Sequence, residues 1–312
     1  MRKTRKLVSL FLCAALLCAV APALAEDGLT VTDMRGREVT LAGPAESIVV
    51  LMPSDCEILF AIGAGDTVIG RGSYCDYPEA AVADIPVVKS GYELNVEEIV
   101  ALQPQVVVVT MMGHTEEQFA QIEDAGLPVF VTDAQTIAQT YDCIELLGKL
   151  TGKEDEAAAV VQEMKDRLDA VAAKASDAGL TVYFETTPLE YNYGLYSAGK
   201  GSFMDEIGAL CGLKNIFGEV TEGNGWPLVN EEDVIAANPD LIVTIDSNGM
   251  GDVNAAELIM AREAWQGMDA VKNGRVFIVE FNAFSRPGPR LADAAEALIE
   301  LIESLAAEEP AA

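Results

Sequence analysis

The stretch EDEAAAVVQEMKDRLDAVAAKASDA, Glu154–Ala178, divides the chain and decides its fold. It contains no glycine or proline. Apolar residues recur at Ala157, Val160, Val161, Met164, Leu168, Val171, Ala172 and Ala175, the spacing of one face of an α-helix. A run of this length, rising about 1.5 Å per residue, makes a rod of about 37 Å, as long as a domain is wide. It is too short for a sustained heptad repeat, which argues against a coiled coil.

On both sides of this rod, β-type runs alternate with helical patterns. Before it, SIVVLM (Ser47–Met52) reads as a buried strand and PSDCEILFAIGAG as a helix, with Ser54 and Glu57 at capping-box spacing. VVVVT (Val106–Thr110) is β-branched and apolar on both faces, the pattern of a central parallel strand. After it, LTVYFET, DLIVTID and RVFIVE read as strands, and Leu291–Leu305 as a terminal helix. The order predicts an α/β fold: two α/β lobes with mostly parallel sheets joined by a single long rigid helix. The boundaries are 1–25 for a leader, 26–150 for the first lobe, 151–178 for the linking helix and 179–312 for the second lobe. A stiff link predicts small hinge motion.

The lobes echo one another. NVEEIVALQPQVVVVT (Asn95–Thr110) and NEEDVIAANPDLIVTI (Asn230–Ile245) align at an offset of 135 positions. Glu97 falls on Glu232, Ile99 on Val234 and Pro104 on Pro239. Each copy reads as a helix followed by a strand, with acids at the helix N-terminus, where the dipole favours them.

Residues 1–25 have the composition of a secretory signal. Arg2, Lys3, Arg5 and Lys6 precede an apolar run, and Ala23-Leu24-Ala25 forms an A-x-A cleavage site. Neither Cys13 nor Cys18 follows the small residues of a lipoprotein signal. The expected location is exported, periplasmic or cell-surface associated. The 312 residues carry 50 acids against 20 lysines and arginines, a net charge of −30 that becomes −34 once the four basic leader residues are gone. Such a surface repels nucleic acid and anionic lipid, and self-repulsion favours a monomer. Cys56, Cys75, Cys143 and Cys211 lack the spacing of a metal knuckle. Cys56 reads as a buried helical thiol, and no pairing is assigned.

Machinery for catalysis is missing. His114 is the single histidine, too few for an imidazole metal site. No GxSxG elbow, P-loop or strand-linked GxGxxG occurs. SAGKGS (Ser197–Ser202) reads as a glycine-rich turn. The loops that follow the strands carry aromatics instead. Six of the eight tyrosines, Tyr74, Tyr77, Tyr92, Tyr191, Tyr193 and Tyr196, lie there with Met112, His114, Trp226, Phe284, Arg286 and Arg290. Ligands of open α/β sheets bind at the carboxyl ends of strands, and flat amphipathic rings suit a large, flat ligand. Tyr74, Tyr92, Met112, Tyr196, Trp226, Phe284 and Arg286 are the expected ligand contacts. An exported two-domain enzyme is the competing expectation from another class.

The motifs SYCDYPEA, NVEEIVALQPQVVVV, SAGKGSFMDEIGALCGLKNIF, WPLVNEEDVIAANPDLIV and SRPGPR occur in order over most of the chain. In these the sequence resembles the substrate-binding proteins of ABC importers for metal chelates, namely vitamin B12, ferric siderophores and haem. The resemblance implies a non-enzymatic protein without a cofactor of its own, whose cargo is a cobalt or iron chelate. It implies a partner, an importer permease dimer with its ATPase subunits, docked through Glu97 and Glu232. Within the family the sequence is most similar to the vitamin B12 binders. Tyr74, Tyr196 and Trp226 match ring-contacting positions there, and Arg286 a polar contact. It departs at Gly91-Tyr92, at Thr110-Met111 and at Asn282, which leaves siderophores and haem as alternatives.

Overall fold

A computed structural model describes residues 28–176, 179–187, 189–191, 194–245 and 254–308. The expected leader, residues 1–25, and Tyr193 lie outside these residues, and so do the side chains of Tyr92 and Tyr191.

A hairpin of β1 (Leu29–Thr32) and β2 (Glu38–Leu41) opens the described chain. Then come β3 (Ile48–Val50), α1 (Pro53–Ala61), β4 (Val68–Gly72), α2 (Glu79–Val82) and β5 (Val87–Val88). Next are α3 (Val96–Leu102), β6 (Val106–Thr110), α4 (Glu116–Asp124), β7 (Val129–Thr132) and α5 (Ile137–Thr151). Helix α6 (Glu154–Lys174) follows. Beyond it lie β8 (Thr181–Glu185), β9 (Leu195–Tyr196), α7 (Phe203–Leu210), β10 (Lys214–Asn215), β11 (Leu228–Val229) and α8 (Glu231–Ala237). The chain continues through β12 (Leu241–Ile245), α9 (Ala255–Ala261), α10 (Asp269–Lys272), β13 (Val276–Val279), α11 (Phe281–Ser285) and α12 (Leu291–Glu308).

Two parallel sheets result, one on each side of α6 in sequence. The first has strand order β5-β4-β3-β6-β7 and the second β10-β8-β12-β13. A separate antiparallel ribbon pairs β9 with β11. The echoed segments are equivalent units: α3 with β6, and α8 with β12, each seven helical residues leading into a five-residue strand. Both helices end in a left-handed residue, Gln103 or Asn238, ahead of the proline.

Helix α6 is shorter than its sequence pattern. Gly152 ends α5 in the left-handed region, and α6 stops at Lys174 because Ala175 is extended. Its 21 residues span about 30 Å. The buried face is Ala157, Val161, Met164, Leu168 and Val171, whereas Ala172 is exposed. Helix α5 lies close because Gly148 has no side chain; a Cβ there would stand 2.5 Å from that of Ala157. Arg167 clamps α6 to α12, its Nε and Nη2 donating to Glu296 at 2.8 and 2.6 Å.

One buried cluster runs through both lobes. It joins Ile48, Val50, Val106 and Val108 of the first sheet to that α6 face and to Val182, Phe184, Leu241 and Val243 of the second. The two lobes share a core as well as a connecting helix. Swinging them apart would expose apolar surface at roughly 25 cal/mol per Å².

The start of α1 corrects one expectation. Pro53 opens the helix after Met52, and no side chain caps it. Met52, at the N-cap, has no side-chain oxygen to accept from the next free N–H groups, and Pro53 has no N–H of its own to satisfy. Glu57 makes no capping box; it is buried and used elsewhere. Cys56, Cys75, Cys143 and Cys211 are all buried free thiols.

Candidate functional site

Parallel strands deliver their chain to a single edge of the sheet. Glu57 follows β3, Asp76 follows β4, and Arg286 follows β13. Arg286 Nη1 donates to Glu57 Oε1 at 2.8 Å and to Asp76 Oδ1 at 2.7 Å. Arg290 adds Nε to Glu57 Oε2 at 2.8 Å and Nη2 to Glu57 Oε1 at 2.7 Å. Gln135, after β7, accepts the Phe203 N–H at 2.7 Å through its carbonyl and the Trp226 Nε1–H at 3.0 Å through its side chain. These bonds link loops at the carboxyl ends of both sheets, so the two carboxyl edges face each other.

The exposed apolar side chains at these edges define the candidate site. Tyr74, after β4, is 72% exposed, and Met112, after β6, is 38% exposed. On the ribbon of the second lobe, Tyr196 pairs in register with Leu228, which is 64% exposed. Sequence reasoning passes over Leu228. Its signal is an apolar residue two places after Trp226, indistinguishable from a core residue without the ribbon register.

Other expected contacts are placed differently. Phe284 is 1% exposed and belongs to the common core, which removes it as a ligand contact. Arg286 is 8% exposed, with its guanidinium spent on Glu57, Asp76 and, at 3.4 Å, the Tyr74 carbonyl. Burial pulls its pKa down, but the bonds to Asp76 and Glu57 raise it overall. It stands behind Tyr74 and orders that loop in place of reaching a ligand. Trp226 is half-buried, edge-to-face with Phe203 at 5.1 Å. Tyr92 has no described side chain. His114 is buried, not a surface loop residue, and neither ring nitrogen reaches bonding geometry with a protein partner among the described residues. Burial lowers its pKa, opposed more weakly by the Thr110 carbonyl.

Arg71 is also occupied, donating Nε to Val82 O at 3.0 Å and Nη1 to Cys75 O at 2.9 Å. In the second lobe Arg262 binds Glu185 at 2.6 Å and Glu190 at 2.7 Å, tying the loop after β8 to the strand end. Burial pushes the Glu185 carboxyl up against the lowering pull of Arg262. A groove of about 680 Å³ lies beside the Arg290 cluster, bordered by Tyr77, Glu79, Glu280, Asn282 and Asp293. Tyr74, Tyr196 and Trp226 do not border it. Among the described residues, no group of three or more His, Cys, Asp or Glu side chains is arranged to hold a metal ion.

Among the described residues the echoed helices leave one exposed carboxylate each without a bonded partner, for a local reason. Asn95 caps α3 by accepting the Glu98 N–H and donates to Glu98 Oε1 at 2.8 Å. Asn230 caps α8 by accepting the Asp233 N–H and donates to Asp233 Oδ2 at 2.7 Å. Of the acids at the second and third helical positions, the third is thereby folded back into its cap. The second, Glu97 or Glu232, is exposed and has no bonded partner among the described residues.

Known proteins resemble this chain in sequence and in fold. The chain is 33% identical to an uncharacterised ABC transporter substrate-binding lipoprotein, YvrC, of Bacillus subtilis (strain 168), over 88% of this chain and 85% of that protein. It is 30% identical to the vitamin B12-binding protein of Salmonella typhimurium, over 81% of this chain and 89% of that one. The crystal structure of an ABC-type Fe3+-hydroxamate transport system from Saccharomonospora viridis superposes with a TM-score of 0.71 at 26% identity, covering 88% of this chain and 98% of that one. The profile of the family described as periplasmic binding protein matches residues 48–283, more than half the sequence. The chain belongs to the periplasmic binding protein family.

Proposed function

We propose that this protein is the extracytoplasmic substrate-binding component of an ABC importer. Its cargo is an uncharged or weakly charged metal chelate, in first place a corrinoid such as vitamin B12. The single observation that carries the ligand class is the state of the loop arginines. Arg71, Arg286 and Arg290 are all bonded to protein acceptors. A strongly anionic catecholate siderophore needs free cations, and a carboxylate-bearing haem needs some. A neutral chelate needs apolar area, and Tyr74, Met112, Tyr196 and Leu228 offer it. The similarity to a vitamin B12-binding protein supports the corrinoid, and the similarity to the hydroxamate structure keeps neutral ferric hydroxamates as the second reading.

Glu97 and Glu232 are the docking carboxylates of this proposal. A protein with one unpartnered acid on each of two equivalent helices matches a permease of two like subunits. The proposed partition is the first lobe to residue 150, the link at 151–178 and the second lobe thereafter. Incubating residues 26–312 with cyanocobalamin, haemin or a neutral ferric trihydroxamate, then desalting, tests the reading. Retained cyanocobalamin absorbance at one equivalent supports the corrinoid. Retention of the hydroxamate alone moves the cargo to iron, and retention of none of the three overturns the chelate assignment.

A further inference from the structure

Trp226 is held from across the lobes, and the holding side chain is itself fixed. Gln135 Nε2 donates to Asp133 Oδ1 at 3.1 Å, which turns the amide so that Oε1 meets the Trp226 indole N–H at 3.0 Å. The backbone of Gln135 is fixed as well. Its N–H donates to Gln139 Oε1 at 2.8 Å, in the capping box of α5, and its carbonyl accepts from Phe203 at 2.7 Å. On the other lobe Trp226 leaves a turn at Gly223, Asn224 and Gly225, all with positive φ. A Cβ on Gly225 would stand 2.8 Å from the Ser202 nitrogen, so the turn is pressed against the start of α7. Phe203 then supports the indole edge-to-face at 5.1 Å.

We propose that Gln135 is a positioning residue. Through the relay Asp133–Gln135–Trp226 the first lobe presets the indole of the second, so that a flat ligand meets an aromatic already oriented and spends no free energy ordering it. This rests on the proposed ligand-binding role. The indole is only part-buried, which leaves surface for a ligand.

Acrylamide quenching of Trp226 emission tests it, with W226F supplying the contribution of buried Trp265. Q135L removes the acceptor, whereas D133N/Q135E restores the relay with its polarity reversed: the carboxylate introduced at position 135 accepts from both the indole and the amide introduced at position 133. The proposal expects quenching of Trp226 to rise at least about twofold in Q135L and to return in the double variant. Affinity for whichever of cyanocobalamin or ferric hydroxamate the wild type retains should fall about tenfold in Q135L, the scale of one lost hydrogen bond, and recover in the double variant. A merely structural contact would lower thermal stability without that recovery of affinity. Unchanged quenching in Q135L overturns the proposal, as does unchanged affinity. If the wild type retains neither chelate, it is the proposed cargo that fails, and quenching alone decides whether Gln135 sets the indole.

Discussion

Glu57 of the first lobe and Arg286 of the second lie 2.8 Å apart, and both side chains are almost wholly buried. Arg290 closes on the other carboxylate oxygen of Glu57. Two arginines of the second lobe thus converge on one acid of the first, next to the backbone of Tyr74. Removing that acid leaves Arg286 with the half-exposed Asp76 and Arg290 with Glu280 at 3.5 Å as their remaining carboxylate partners, which costs up to about 3–5 kcal/mol. E57A is expected to lose stability on that scale in urea denaturation. D76A removes a half-exposed partner and should lose about 1 kcal/mol or less.

Asp55 is fully buried, and burial pushes its carboxyl from 3.8 up to about 7, against the lowering effect of bonds from Thr132 and Cys143. The folded state therefore keeps a proton that the unfolded state releases between those values. Stability falls as pH rises from about 4 to about 7 and is level above, by at most on the order of 4 kcal/mol. Asn at this position keeps an acceptor for Thr132 without the charge. The melting temperature of D55N relative to wild type should therefore climb between pH 5 and pH 8. A constant difference across that range would show that Asp55 does not titrate there.

Charge reversal at the echoed helices separates docking from binding. E97K and E232K change exposed residues, so chelate affinity and melting temperature should stay within error of wild type. Transport by the reconstituted importer should fall at least about tenfold in each and further in the pair if, as proposed, each carboxylate docks on its own permease subunit. Full transport by the double variant would remove the docking role.

The shared core predicts limited closure. Radius of gyration from X-ray scattering should be nearly the same with and without chelate, because opening the lobes would uncover the α6 seam. L168A, within that seam, should cost about 2–5 kcal/mol and loosen both lobes together in hydrogen exchange. Loss of protection confined to one lobe would show that the cores are separate.

The parts legible in the sequence are those set by local chemistry. Helix α6 is visible in its periodicity, β6 in its valines, and the echoed helices in acids at their start and a proline past the end. Residues whose role depends on distant partners are not legible in this way. Glu57 sits at capping-box spacing, yet its partners lie more than 220 positions away. Arg286 resembles a ligand contact because nothing nearby in sequence neutralises it. Phe284, an aromatic in a post-strand segment, is indistinguishable locally from Tyr74; its place in the common core is set by packing from elsewhere in the chain. Gln135 carries no signal, since its importance comes from an indole 91 positions away.

Calorimetric titration with cyanocobalamin of wild type, Y74A and Y196A tests the central claim most directly, because these exposed tyrosines stand on opposite lobes. One-to-one binding to wild type and about tenfold weaker binding to each variant are expected, with melting temperatures unchanged. Wild-type binding that survives both substitutions undiminished would contradict capture between the lobes, and absence of heat with wild type would contradict the corrinoid.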